Sequence, residues 1–461
     1  VLEKGYHLAV TGRPGPSWID MPVNYQGCTV ETDDLEGYDP AEDDRLLPQP
    51  VSKETVREVL EKVAHAQRPV LYAGNGIRLS GGYDEFRKAV QMLGIPVCTY
   101  WDAIALIETE HPLYCGRGGN MGDRPGNFAV QNADLILAVG NRLPIRVVGY
   151  NWKTWAREAE VIMVDIDLAE LKKPTIHVEL PIHADAKDFF EQINLELKDK
   201  KTPVFEKNEW ISICQNWKKE YPVVLKRHWE ENDGFANAYA AFDYISRQLP
   251  ENSLTVTSNG TCCVAGHQSW YIKPGSRFFN NNAIASMGYG LPAAIGACMA
   301  NDGKMTVCLE GDGSIMMNLQ ELQTIVTNQL PIKIFLINNE GYHSIRQTQN
   351  NLFKEHSQVG IGPESHDLAF PNFAKLSAAF GIPYYCAHSN VEMRQVVDAV
   401  LAEENFALCE IFVSTQQIFE PKSATKRLED GTLVSPPLED LAPFLSREEL
   451  MKNLYIAPME E

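Results

Sequence analysis

The chain has no Cys-x-x-Cys pair among its ten cysteines and few positive charges for its size. It also has no uninterrupted apolar run near the roughly 18 residues of a membrane-spanning helix. Each lack removes a class. Without paired cysteine spacing, neither a zinc ribbon nor a secreted disulfide framework is indicated. Lys and Arg total 41 against 61 Asp and Glu, a net charge of −20, which argues against nucleic acid or an anionic membrane as the principal partner. No G-x-G-x-x-G is completed, since Gly74-Asn75-Gly76 is followed by Ile-Arg-Leu, and this disfavours a dinucleotide-dependent dehydrogenase. The chain opens on Val and on no charged-then-apolar signal segment. The expectation is a reduced, cytoplasmic protein, with length for two to four domains.

The most informative stretch is Gly311 to Gln349. MTVCLE (305–310) reads as a buried strand ending in Gly311-Asp312-Gly313, where a sharp turn brings a carboxylate out at the strand's carboxyl end. Leu319, Leu322, Ile325 and Val326, spaced three and four apart, form one face of a helix. IKIFLI (332–337) is the next strand and delivers Asn338 and Asn339. A right-handed strand–helix–strand unit brings both strand ends to one sheet edge, so Asp312 and Asn339 converge. One carboxylate, one amide oxygen and a nearby carbonyl suit Mg²⁺, which takes hard oxygen ligands.

Gly-Asp-Gly, 24 residues, then Asn-Asn resembles the diphosphate-binding signature of thiamine-diphosphate (ThDP) enzymes, and the chain is similar to the acetolactate synthases among them. The resemblance implies Asp312, Asn339 and the Gly341 carbonyl as Mg²⁺ ligands. It implies Gly311 and the N–H groups of Gly313 and Ser314 as diphosphate contacts, at the kind of amino terminus that favours anions. Tyr342 and His343 follow as cofactor neighbours. Asn259-Gly260 stands where the family makes a second diphosphate contact, but departs from its usual Gly-Gln-His, so His267 is not carried over. Ser286 to Gly296 matches closely; there Met287 would prop the cofactor into its bent form, and the Ala285 carbonyl would accept from the aminopyrimidine.

The fold class expected is α/β, with two doubly wound parallel-sheet domains. By resemblance, residues 1–27, with the turn Gly12-Arg13-Pro14-Gly15-Pro16 and a short strand SWIDMP, close a pyrimidine-binding domain whose remainder is missing. Residues 28–50 read as a linker, 51–190 as a central Rossmann-like domain, 191–235 as a charged connector, 236–425 as the ThDP and Mg²⁺ domain, and 426–461 as a tail. Family members use the central domain for FAD, for another nucleotide or for assembly alone, and all three stay open. Gly74, Gly76, Arg142, Asp165 and Asp167 lie where a nucleotide would bind.

The activity implied is carboligation or decarboxylation of a 2-keto acid such as pyruvate by a homodimer or homotetramer, with the chemistry supplied by the cofactor. The activating glutamate would lie in the missing domain, so the catalytic residue is unassigned and the chain as given is expected to be inactive. Gln347-Thr348-Gln349 lacks the tryptophan that acetolactate synthases carry between two such residues, which puts the acceptor in doubt. Other readings are a ThDP decarboxylase, lyase or flavin-linked oxidase, or a non-catalytic Mg-ThDP-binding subunit.

Overall fold

The computed structural model describes residues 1–44, 47–230, 234–353, 356, 358–427 and 433–459, and for residues 426, 427 and 433 the backbone alone. The expected linker, connector and tail therefore lie partly outside the described residues, at 45–46, 231–233, 428–432 and 460–461. Twelve parallel strands form two six-stranded sheets, the α/β class expected. They are β1 (Pro69–Ala73), β2 (Val97–Thr99), β3 (Tyr114–Arg117), β4 (Leu135–Val139), β5 (Glu160–Asp165), β6 (Leu180–His183), β7 (Leu254–Thr257), β8 (Arg277–Phe279), β9 (Thr306–Gly311), β10 (Ile332–Asn338), β11 (Tyr384–Ala387) and β12 (Ala407–Phe412).

Two compact units are present. The first comprises residues 1–95, 134–143 and 159–207, and the second residues 96–133, 144–158 and 208–461. In the first, β1, β4, β5 and β6 pair in that order. The helix Lys53–His65 begins at Ser52, whose hydroxyl accepts from Thr55 N–H as an N-cap and so replaces a missing intrahelical partner. Gly74 and Gly76, after β1, are needed for close backbone approach. A Cβ on Gly74 would stand 2.2 Å from the Gly140 carbonyl oxygen, and one on Gly76 2.7 Å from the Gly140 Cα. The expected strand SWIDMP is not formed: residues 17–22 make no ladder and Trp18 is 94 % exposed. Prolines at 16 and 22 remove two donors from that stretch.

The second unit carries the sheet β11-β12-β10-β9-β7-β8. Its central strands β9, β10 and β12 read as largely apolar runs because both faces are covered. Ile334 and Leu336 of β10 face a core with Leu291, Leu322, Ile325 and Phe373. Phe335 and Ile337 alternate to the other side, among Tyr239, Phe242, Val397 and Val400. Trp210 and Trp217, from the charged stretch expected to be a connector, are packing residues in a cluster with Phe128 and Tyr455. Gly74→Ala is expected to destabilise the first unit by about 1–3 kcal/mol, the usual cost of overpacking, as a lower urea midpoint for a fluorescence transition of that unit; an unchanged midpoint would show that the loop after β4 can give way.

Candidate cofactor site

In the second unit β10, β9 and β7 are neighbours, so the turns after them share one edge. The register pairs Ile337 with Gly311, and Asp312 N–H donates to the Ile337 carbonyl at 3.2 Å. The Asp312 carboxylate is only 2 % exposed. One of its oxygens accepts from Gly313 N–H at 2.7 Å, the other from Gly341 N–H at 2.9 Å. Burial pushes its pKa up to about 7, against those N–H bonds and Arg346, which act to lower it. A bound cation would offset such burial and hold the group ionised. Asn339 donates its amide N–H to Thr261 Oγ1 at 3.0 Å, which leaves its amide oxygen as the end available to a cation. Asp312, Asn339 and Gly341 are thus brought together.

The loop that holds them is tightly specified. Gly341 has φ +142°, and a Cβ there would lie 1.7 Å from the Ile361 carbonyl oxygen. Tyr342 packs over the Gly-Asp-Gly turn, where a Cβ on Gly313 would meet its ring at 2.3 Å. Arg346, on the helix that leaves this loop, is committed to the protein itself. It is buried, and its fork donates to the carbonyls of Asn339 (3.0 Å), Glu340 (2.9 Å) and Ile361 (3.3 Å) and to Glu364 (2.9 Å). His343 is also buried, with Nε2 2.5 Å from the Gln417 carbonyl oxygen, and burial lowers its pKa to about 4. Thr348 lies on the exposed side of the same helix, His343–Leu352.

Around the second turn, Gly260 has φ +65° and precedes the helix Thr261–Ser269; a Cβ built on it meets nothing within 4 Å. That open cradle before a helix amino terminus fits an anionic group. Met287 and Ala285 are partly buried on one loop. The Ala285 carbonyl already accepts from Asn259 Nδ2 at 2.5 Å, so an aminopyrimidine would use its second lone pair. Ser314 Oγ accepts from Gly288 N–H at 2.9 Å and lies 2.5 Å from Ser258 Oγ. Asn318 donates to the Gly288 carbonyl at 2.7 Å.

Sequence reasoning missed Ser258, Thr261, Asn318 and Glu310. Glu310 was the legible one, a charged residue inside an otherwise apolar strand. It is fully buried, accepts from Leu291 N–H at 3.1 Å and hydrogen-bonds Ser258 and Ser314. In the first unit, the residues placed at a nucleotide edge are occupied locally. Arg142 pairs with Glu170 (2.6 Å), Asp167 with Arg13 (3.1 Å), and Asp165 accepts from Asp167 N–H (3.0 Å).

The arrangement is that of an α/β protein with a ligand site at the carboxyl ends of parallel strands. Residues 258–411 match the family described as thiamine pyrophosphate enzyme, C-terminal TPP binding domain, and residues 56–193 the thiamine pyrophosphate enzyme central domain. The chain belongs to the thiamine pyrophosphate enzymes, of which it carries these two domains. It is 32 % identical over 438 residues to the probable acetolactate synthase 2, chloroplastic, of Oryza sativa subsp. japonica, covering 90 % of this chain and 63 % of that protein. It is 33 % identical to acetolactate synthase 1, chloroplastic, of Zea mays (90 % and 65 %). Against the Escherichia coli (strain K12) acetolactate synthase isozyme 1 large subunit it is 28 % identical (91 % and 71 %). The chain thus spans less than two thirds of the rice and maize relatives.

Because lysine cannot reproduce a fork aimed at three carbonyls, Arg346→Lys should cost on the order of 3 kcal/mol, the scale of losing charged hydrogen bonds. Urea unfolding of the second unit measures it, and a loss below about 1 kcal/mol would mean the loop holds itself.

Proposed function

We propose that the second unit binds thiamine diphosphate through Mg²⁺, as part of a carboligase or decarboxylase acting on a 2-keto acid such as pyruvate. The observation that carries this is the convergence of Asp312, Asn339 and Gly341 on one edge, with the carboxylate buried and its oxygens fixed by backbone N–H groups. Asp312, the Asn339 amide oxygen and the Gly341 carbonyl would hold the metal, an all-oxygen set that suits Mg²⁺. When bound, the cofactor supplies the carbanion and the electron sink.

This chain's residues position and shield. Gly311, Gly313 and Ser314 line the turn beside the metal ligands, and Asn259 and Gly260 offer the second anion cradle, while Tyr342 and His343 close the side of the Asn-Asn loop. Met287 and the Ala285 carbonyl would support the bent cofactor. No described residue is assigned the activating proton transfer. Residues 74, 76, 142, 165 and 167 do not fit a flavin as placed, since the glycines are filled by the Gly140 backbone and the charged groups are held by Glu170, Arg13 and the Asp167 N–H. FAD therefore forms no step of the proposal. Assembly as a homodimer or homotetramer and a cytoplasmic location belong to the same reading; among the described residues no helix is long and apolar enough to cross a membrane.

Asp312→Ala is expected to abolish Mg²⁺-dependent thiamine diphosphate binding in calorimetric titration while circular dichroism stays near wild type. Equal cofactor affinity in wild type and variant would sink the metal assignment.

A further inference from the structure

Lys422 sits on the segment after β12, and its side chain is half-buried. Its backbone is fixed by a reciprocal pair with Ala442, Lys422 N–H to Ala442 carbonyl at 2.9 Å and the reverse at 2.8 Å. The ammonium donates to Gln347 Oε1 at 3.2 Å and makes no ion pair among the described residues. The neighbouring carboxylates are committed elsewhere. Glu420 accepts from Arg227 at 2.5 Å and lies 2.9 Å from His228, and Glu364 pairs with Arg346. Burial lowers the Lys422 pKa, and no charged group offsets it. A desolvated cation without a counter-charge is costly to keep.

Its surroundings orient it. Gln347 Nε2 donates to the Gln417 carbonyl at 3.1 Å, which turns Oε1 toward Lys422. Gln347 stands one helical turn, about 6 Å of rise, beyond His343, and its Nε2 lies 2.7 Å from His343 Nε2. His343 is a proposed cofactor neighbour, so Gln347 and the ammonium it holds lie one turn beyond that contact. An ammonium has three donors, of which Gln347 takes one.

We propose that Lys422 is a specificity-determining residue that binds the carboxylate of the 2-keto acid, with Gln347 holding the ammonium in place. The inference rests on the functional reading above and adds the group that recognises the substrate's charge, held by Gln347 of the helix His343–Leu352.

The test uses the whole chain in three forms, wild type, Lys422→Met and Lys422→Arg. Calorimetry first measures Mg²⁺-thiamine diphosphate affinity; pyruvate is then titrated into the loaded protein and followed by saturation-transfer NMR. Cofactor affinity should agree within about twofold among the three, while Lys422→Met weakens pyruvate binding by about tenfold or more, the scale of a lost charged hydrogen bond. Lys422→Arg should stay within about threefold of wild type. The midpoint of Lys422→Met should be no lower than wild type, because a cost of desolvation has been removed; a merely structural lysine would lower it. Unchanged pyruvate affinity in Lys422→Met, no saturable pyruvate signal in wild type, or displacement of pyruvate by inorganic phosphate far better than by acetate would each overturn the proposal. Absence of cofactor binding in wild type would strike the earlier reading, and the same three-way pyruvate comparison without cofactor would still decide Lys422.

Discussion

The second unit's site depends on one buried guanidinium. Arg346 gathers the carbonyls of Asn339, Glu340 and Ile361 on one fork. Asn339 and Glu340 lie on a loop whose glycine, Gly341, has a positive φ and where a Cβ on it would strike the Ile361 carbonyl, so the loop cannot satisfy their carbonyls by relaxing. Buried carbonyls must find donors, and here one rigid, permanently charged side chain serves three. The Gly341 N–H can then meet Asp312, and the Asn339 amide can meet Thr261. One buried cation is therefore the reason Asp312 and Asn339 have a fixed geometry.

A second hub lies one strand-turn away. Glu310 accepts from the Leu291 and Gly311 N–H groups and lies among the Ser258 and Ser314 hydroxyls, and Gly290 must be glycine because a Cβ would lie 2.0 Å from its Oε1. Through Ser314 the network reaches Gly288, next to Met287. The loop proposed to support the cofactor's bend is therefore tied to the turn proposed to hold its diphosphate. The two hubs meet at the turn after β9, where Asp312 accepts from the Gly341 N–H and Ser314 from the Gly288 N–H.

Much of this was legible in the sequence because it rests on period and punctuation. Apolar runs at 305–310 and 332–337 became β9 and β10, and their parallel register alone brings Asp312 beside Asn339. What was hidden depends on contacts distant along the chain. The β3, β6, β8 and β11 strands are short and carry Gly, Pro, Arg or polar residues, so they have no apolar run to announce them. Thr261 and Asn318 act through side chains that look ordinary until a neighbour is known. SWIDMP misled because apolar composition was read as a strand without a partner to pair with.

The buried charges of the second unit separate structural from functional roles. Arg346, Glu420 and Glu439 have their hydrogen-bonding capacity matched by carbonyls, amides or opposite charges. Glu310, though raised to about 7 by burial, is surrounded by donors and is satisfied where it stands. Asp312 and Lys422 share with Asp123 and Lys333 the lack of an ion-pair partner among the described residues, and what sets these two apart is their place. One is anionic and sits where a cation is proposed, and the other is cationic and lies beside the helix that leaves that same loop. Opposite charges left unmatched at the two ends of one path are what a site needs when the metal, the cofactor and the substrate are to complete it.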